Sequence, residues 1–392
     1  MFSQSRFADL LQAIPKTPFY NSIEQHKSDR YAKSFKSWDL LVLMLYGQIK
    51  KVDSLRTLVT GFNAHESHHY HLNTQAVRRS TVSDALASRS PEPYKALCES
   101  LMSVISRQQR KSCKELLCII DSTIITLRGD HYDEWTLENR TRQTQGLKVH
   151  VAIDAQQNAP TYANITPVNI NDVTDVKNLS IEAGMTYVID KGYCDYNWWH
   201  HIESKQAKFV TRLKYNANYI VVRNLLSNPK KDTSILSDEV IQLPRKNLSK
   251  GRKNAYANKD LRLITVHRAG NKKAMVIVTN DFDRSAEEIA ALYKQRWQIE
   301  LLFKWLKQKL KLKKYFGYSE NATLIQIYCA LIAYLLMVIF KQQKNALASL
   351  SDIAIELRHN LFKRERIERY YYQKQRERKA ALKEVQGELW GF

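Results

Sequence analysis

The run "ELLCIIDSTIITLRG" sets one acid, Asp121, in the middle of an otherwise apolar, β-branched stretch. Such a segment forms a strand, and an ionised carboxylate buried within it is costly unless it is paired or bound to a metal. A second stretch repeats the arrangement. "MTYVIDKGY" ends a strand on Asp190, and Gly192 permits a tight turn that would leave the carboxylate at the sheet edge. Singly, each acid reads equally well as a turn-capping or salt-bridged Asp. Asp154 in "VAIDAQQNAP" serves as a control: it too ends a strand, but the turn-rich residues after it make a hairpin cap the better account.

Around these acids the hydrophobic period divides the chain. Residues 1–105 carry helical periods with hardly any strand signal. Within "QAVRRSTVSDALASRSPEPYKAL" a short helix, a Ser-Thr turn and a second helix could form a helix-turn-helix carrying Arg78, Arg79 and Arg89. A plain helical bundle with a solvated basic edge fits as well. From 106 to 214, strands interleave with helices, which indicates a mixed α/β sheet. Residues 215–283 are again strand-like, around the basic loop "PRKNLSKGRKNAYANK", and read as a β-rich insertion rather than part of the main sheet. Helices resume over 284–345, and 346–392 form a basic helical C-terminal region.

Composition narrows the partners. Lys and Arg number 61 against 39 Asp and Glu, a net charge of +22. A surplus that large repels itself unless an anion compensates it, and nucleic acid is the usual one; a membrane surface or plain solubility is the bland alternative. The five scattered cysteines form no CxxC pair and read as reduced core thiols of a cytosolic protein. The N-terminus lacks a signal-peptide apolar core. "LIQIYCALIAYLLMVIF" is at the lower length limit of about 17 residues for a bilayer span. Gln326 interrupts it, so a fully buried helix is expected and no membrane partner.

The third acid lies in "YKQRWQIELLFKWLKQKLKLKK", where Glu300 stands alone among Lys and Arg. On one continuous helix, Tyr293, Arg296, Glu300 and Lys307 share a stripe about 60° wide. Leu292, Ile299, Leu302, Phe303, Leu306 and Leu310 fill the neighbouring sector and would anchor the helix on a core, while Lys304, Lys311 and Lys314 widen the basic stripe. An ordinary i,i+4 pair of Glu300 with Lys304 or Arg296, about 0.2–0.5 kcal/mol, is the plain account. It leaves the exclusion of every other acid unexplained. A helix lying along a phosphate backbone explains the cations, and a lone carboxylate there needs a bridging cation. Mg²⁺ is held by a few carboxylates plus substrate phosphates. Two such ions activate a water or 3′-OH and stabilise the leaving oxygen of an in-line displacement.

Tyr293, two residues, Arg296, three residues, Glu300, six residues, Lys307 resembles the Y-R-E-K signature of DDE transposases of the insertion-sequence-four family. "DSTII" at Asp121 and "DKGY" at Asp190 are similar to that family's first two catalytic aspartate motifs. The resemblance covers about Leu116 to Tyr315. It implies an RNase H-like core from 106–214 and 284–345, interrupted by the β-rich insertion. It also implies catalysis by Asp121, Asp190 and Glu300 with two Mg²⁺ or Mn²⁺ ions. DNA phosphates would then meet Tyr293, Arg296, Lys307, Lys304 and Lys311, with Arg78 and Arg79 on the N-terminal domain. The partners implied are double-stranded DNA, at transposon ends and target, and a second copy in the DNA complex, in the bacterial cytoplasm at the nucleoid. Better-known members stack a flipped base on a Trp in the insertion. Here no Trp occurs between Trp199 and Trp297, and Tyr215, Tyr219, Tyr256 or Phe282 could substitute.

"HESHHYH" from His65 to His71 reads as a solvated polar loop rather than a metal site. Trp198 and Trp199 read as core or interface anchors, and Tyr370 to Tyr372 suit nucleic-acid contact or subunit packing alike. Three functions follow: a cut-and-paste transposase, an RNase H-like nuclease or resolvase without strand transfer, and an inactive DNA-binding derivative. The intact trio of acids argues against the last, and the Y-R-E-K pattern favours the first.

Overall fold

A computed structural model describes residues 5–109, 116–139, 143–156, 159–226, 234–244, 253–267, 274–309, 315–343, 348–363 and 376–377. The chain divides into two compact units, one of Met1–Ile105, Gly129–Trp135 and Lys304–Phe392, the other of Ser106–Arg128 and Thr136–Phe303.

The first unit is helical. Its N-terminal part runs through α1 (Arg6–Leu11), α2 (Lys16–Gln25), α3 (Ser37–Lys50), α4 (Leu55–Asn63), α5 (His69–Leu72), α6 (Arg79–Ser88) and α7 (Glu92–Gln109). In α3 every residue from Ser37 to Ile49 is buried, so both its ends need partners. Asp39 accepts from the Lys36 N–H at 2.7 Å, and Asp29 accepts from the Ser37 N–H at 2.8 Å. Three expectations change here. No helix forms over Gln75–Arg78, and Ser80 and Thr81 lie in the first turn of α6 instead of forming a turn between two helices. Arg89 is buried rather than part of a basic edge. The histidine run is not a solvated loop: it contains α5, with His69 stacked on Phe62 at 4.3 Å and His65 on Phe362 at 4.0 Å.

The second unit is built on a ten-stranded sheet. Its strands are β1 (Leu117–Thr126), β2 (Glu138–Asn139), β3 (Thr144–Asp154), β4 (Ala159–Pro167), β5 (Thr186–Ile189), β6 (Lys208–Arg212), β7 (Ile220–Asn224), β8 (Ile235–Gln242), β9 (Asp260–Val266) and β10 (Met275–Thr279). Helix α8 (Asp172–Val176) precedes β5, and α9 (Tyr196–Ser204) joins β5 to β6. The order is β2-β3-β1-β5-β6-β10-β9-β8-β7, with β4 on β3. β1, β5 and β6 run parallel, while β3 and β10 flank them antiparallel. This is the mixed α/β architecture of an RNase H-like core with helical extensions. The β-rich stretch exists, but its strands extend the main sheet instead of standing apart. The free edge of β6 leaves unpaired N–H and C=O groups, and β10 satisfies them. Asp154 caps its turn as expected, accepting from the Gln156 N–H at 2.8 Å. Trp198 and Trp199 are core residues, Trp199 stacking on Phe209 at 5.0 Å. Tyr256 is fully buried, while Tyr215, Tyr219 and Phe282 are exposed.

Two helices follow the sheet, α10 (Ala286–Lys294) and α11 (Trp297–Lys309), the latter running on into the helical unit at Lys304. There α12 (Glu320–Gln343) packs on α3 and α6, and α13 (Leu350–Asn360) on α3 and α12. Among the described residues α12 is the one helix long and apolar enough to cross a membrane, and 94% of that window is buried in protein. Gln326 is tolerated there because its amide oxygen accepts from the Phe316 N–H at 3.0 Å. Cys98, Cys118, Cys194 and Cys329 are free thiols. Cys113, Leu310, Lys311, Lys314, residues 245–252 of the basic loop and Tyr370 to Tyr372 lie outside the described residues.

Candidate active site

Sheet register brings two of the acids together. Ile120 pairs in parallel with Ile189, the last residue of β5, so Asp121 on β1 and Asp190, just past the end of β5, follow the last paired position. Val188 pairs with Val210 in the same sense, which sets Arg212 beside Asp190 one strand further on. Asp121 on β1, Asp190 at the turn after β5 and Arg212 at the end of β6 thus follow one another across the sheet.

The helical acid arrives through a break. Tyr293, Arg296 and Glu300 do not share one continuous helix: α10 ends at Lys294, Gln295 and Arg296 form a turn, and α11 starts at Trp297. The Gln295 N–H lies within reach of the Ala291, Leu292 and Tyr293 carbonyls, which tightens the last turn of α10. Arg296 then reaches two acids at once. Its Nη1 lies 3.2 Å from Asp121 Oδ2 and its Nη2 2.5 Å from Glu300 Oε1. Asp190 Oδ1 accepts from Arg212 Nη2 at 3.0 Å, and its Oδ2 from the Gly192 N–H at 3.4 Å. Tyr293 is buried, with the Arg212 guanidinium 6.0 Å from its ring centre. The anchoring sector of the segment behaves as expected: Leu292, Ile299, Leu302, Phe303 and Leu306 are all buried.

Three carboxylates therefore share two guanidinium groups, and the compensation is uneven. Burial pushes the Asp121 carboxyl up to about 6; the charges of Asp190 and Glu300 add to this, against the Ser122 N–H and Arg296. Asp190 is also raised by burial, but Arg212, by charge and hydrogen bond, together with Arg296 and the Lys191 N–H, outweighs it and holds the group below the ordinary carboxylate range. The donors are carboxylate oxygens, the hard ligands that suit Mg²⁺ or Mn²⁺. Among the described residues, no three His, Cys, Asp or Glu side chains gather tightly enough to ligate one ion as they stand; Arg296 lies between Asp121 and Glu300.

Residues 112–336 match the transposase DDE domain. The chain belongs to the DDE transposase family. Residues 3–74 match a second family, a domain of unknown function (DUF4372). The y4zB protein of Sinorhizobium fredii, named as a transposase, is 37% identical over 258 residues, 65% of this chain and 69% of that one. A protein named as a transposase for insertion sequence element IS5377 of Geobacillus stearothermophilus is 29% identical over 66% of each chain. Another, for element IS4SA of Synechocystis, is 27% identical over 72% of this chain and 77% of its own. Among solved structures, the piggyBac transposase synaptic complex with hairpin DNA aligns with 94% of this chain and 83% of that one, at a TM-score of 0.49 and 11% identity.

Within this transposase fold, the sequence pattern singled out Asp121, Asp190, Arg296 and Glu300, and the structure links them through guanidinium contacts and strand register. Lys304 is exposed and Lys307 half-buried on α11, both in the helical unit; Arg78 and Arg79 are exposed at the start of α6. Arg212 went unread, because its pairing with Asp190 depends on strand register. So did the layer behind Asp121. Ser122 Oγ donates to Asp172 Oδ1 at 2.8 Å, Lys148 Nζ lies 3.0 Å from the same oxygen, and His150 sits between Asp172 and Asp175. The "NDVTD" spacing of Asp172 and Asp175 was the available signal.

Proposed function

We propose that this chain is an insertion-sequence transposase of the insertion-sequence-four type, cutting at transposon ends and joining the freed 3′-OH to target DNA. The observation that carries the reading is the meeting of Asp121 and Glu300 on Arg296, with Asp190 at the end of the strand that pairs beside Asp121's own. Asp121, Asp190 and Glu300 would hold two Mg²⁺ or Mn²⁺ ions, and a bound cation would offset the burial and the neighbouring carboxylates that raise the Asp121 carboxyl. When bound, such ions activate a water or 3′-OH and stabilise the leaving oxygen.

The chain's own groups then have defined parts. Arg212 keeps Asp190 ionised and turned toward the strand row. The Ser122 N–H holds Asp121 Oδ1, and the Ser122 hydroxyl is in turn held by Asp172. Arg296, released from Asp121 or Glu300, offers a planar fork to a phosphate. Lys304, Lys307, Lys311, Arg78 and Arg79 contact the DNA backbone, Tyr293 supports Arg212, and two copies pair the transposon ends. Of the exposed aromatics, Tyr215, Tyr219 and Phe282 remain to stack an unpaired base.

The test is Glu300→Gln on a plasmid carrying the element's own ends. Mg²⁺-dependent cleavage is expected to vanish while DNA binding stays within a few-fold. Equal loss of both would remove Glu300 from the chemistry. Cleavage by the parent protein without joined product would instead favour a nuclease on the same fold.

A further inference from the structure

The helical unit holds a cavity that the carboxylates do not use. Its volume is about 790 Å³, inside the roughly 300–1,000 Å³ of pockets that take small-molecule-sized groups. One wall is the loop 26–35 between α2 and α3; the other is α6 with Arg89, Ser90 and Pro91 after it. Lys27, Arg30, Lys33 and Arg89 line it, against the single acid Asp84. Such a cavity selects an anion, and it is far too small for a duplex cross-section.

Its floor is built. Arg89 is 6% exposed, its Nη2 donates to the Phe35 carbonyl, and its guanidinium lies 5.5 Å over the Phe35 ring. The remaining Nη1 has no hydrogen-bond partner, only Asp29 Oδ1 at 3.5 Å. That oxygen is already engaged by the Ser37 N–H at 2.8 Å and its hydroxyl at 2.7 Å. A buried guanidinium with spare donor capacity suits a phosphate.

Its rim carries an aromatic held in an unusual posture. Tyr31 is 86% exposed, and one face is covered by Arg30 at 4.9 Å. Tyr31 (φ 69°) sits in the left-handed region, which bulky residues rarely adopt; the positive φ of Lys27 is only the cap that ends α2. Such backbone persists where its surroundings over-determine it, and it concentrates at ligand sites.

We propose that this pocket takes one nucleotide of a DNA strand, with its phosphate on Arg89, Arg30 and Lys33 and its base against the free face of Tyr31. The match to a domain of unknown function over residues 3–74 covers the loop, so the proposal gives that domain a single-strand-reading part. It rests on the transposase reading only in taking DNA as the polymer.

The test is fluorescence anisotropy without divalent cation, using a labelled 20-mer of oligo-dT and a blunt 20-base-pair duplex. Tyr31→Asn keeps a residue that tolerates left-handed backbone but removes the stacking face. It is expected to weaken the single strand about fivefold or more and the duplex by less than twofold, while Tyr31→Phe binds like the parent. Arg30→Ala with Lys33→Ala lowers the salt slope on the single strand by about 1.4. Thermal melts confirm that each variant folds. Single-strand affinity of Tyr31→Asn within twofold of the parent, or an equal fall on both probes, overturns the pocket alone. A parent protein that binds neither probe overturns the DNA reading with it.

Discussion

The sheet unit contains two clusters of carboxylate and cation, and they are balanced differently. In the first, Arg262 meets both oxygens of Asp238 at 2.8 and 2.6 Å. Asp281 in turn accepts from Lys208 at 2.8 Å, from Arg284 and from the Asp283 N–H at 3.0 Å. Burial would raise Asp281, but Lys208 and Arg284 outweigh it and hold it low. In the second, Asp121 and Glu300 divide one guanidinium, and Asp121 is left raised to about 6. The two share one sheet and the same side-chain types. One is saturated and clasps β8 and β9 to the turn after β10; the other has more carboxylate than cation. A surplus of carboxylate of that kind is what a metal-binding site requires and what a structural clasp avoids.

The widest separation between the clusters is expected in chemistry. Asp190→Asn or Glu300→Gln should lower Mg²⁺-dependent cleavage by a thousandfold or more, about 4 kcal/mol of barrier. Arg262→Met, assayed below its melting temperature, should stay within a few-fold of the parent. Comparable losses in both would erase the distinction.

Stability should separate them the other way. Asp238→Ala strands a buried guanidinium and is expected to cost about 3–5 kcal/mol, read as a large drop in Tm. Asp121→Asn, in EDTA at neutral pH, should raise Tm. Its folded carboxyl titrates at about 6 rather than 3.8, so its charge opposes folding increasingly from pH 4 to 6 and fully above 6. Removing it returns on the order of 3 kcal/mol. A Tm gain that persists at pH 4 would mean the effect is packing, not charge.

The smallest effect belongs to the exposed basic face. Lys304→Ala should weaken DNA binding a few-fold and reduce the salt slope by about one unit. An unchanged slope would take Lys304 off the phosphate path.

Much of the site was legible in the sequence because burying an acid is expensive. Asp121 and Asp190 betray themselves by interrupting apolar strands, and Glu300 by standing alone among cations. Arg212 was not legible: an arginine ending "KFVTR" is ordinary until register sets it beside Asp190. The turn at Gln295 and Arg296 was hidden for a related reason. The helical period runs through it unbroken, with no Gly or Pro to mark a break, and only packing shows that Arg296 reaches back to β1. Joining the β-rich stretch to the main sheet depends likewise on the edge of β6, which no local pattern in β10 reveals.

The most direct measurement of the central claim is uptake of Mn²⁺, followed by the loss of its free-ion electron paramagnetic resonance signal. The parent protein and Arg262→Met should take up the ion alike, while Asp121→Asn with Asp190→Asn should take up little. Equal uptake by all three would place the ion elsewhere and return the three carboxylates to a structural role.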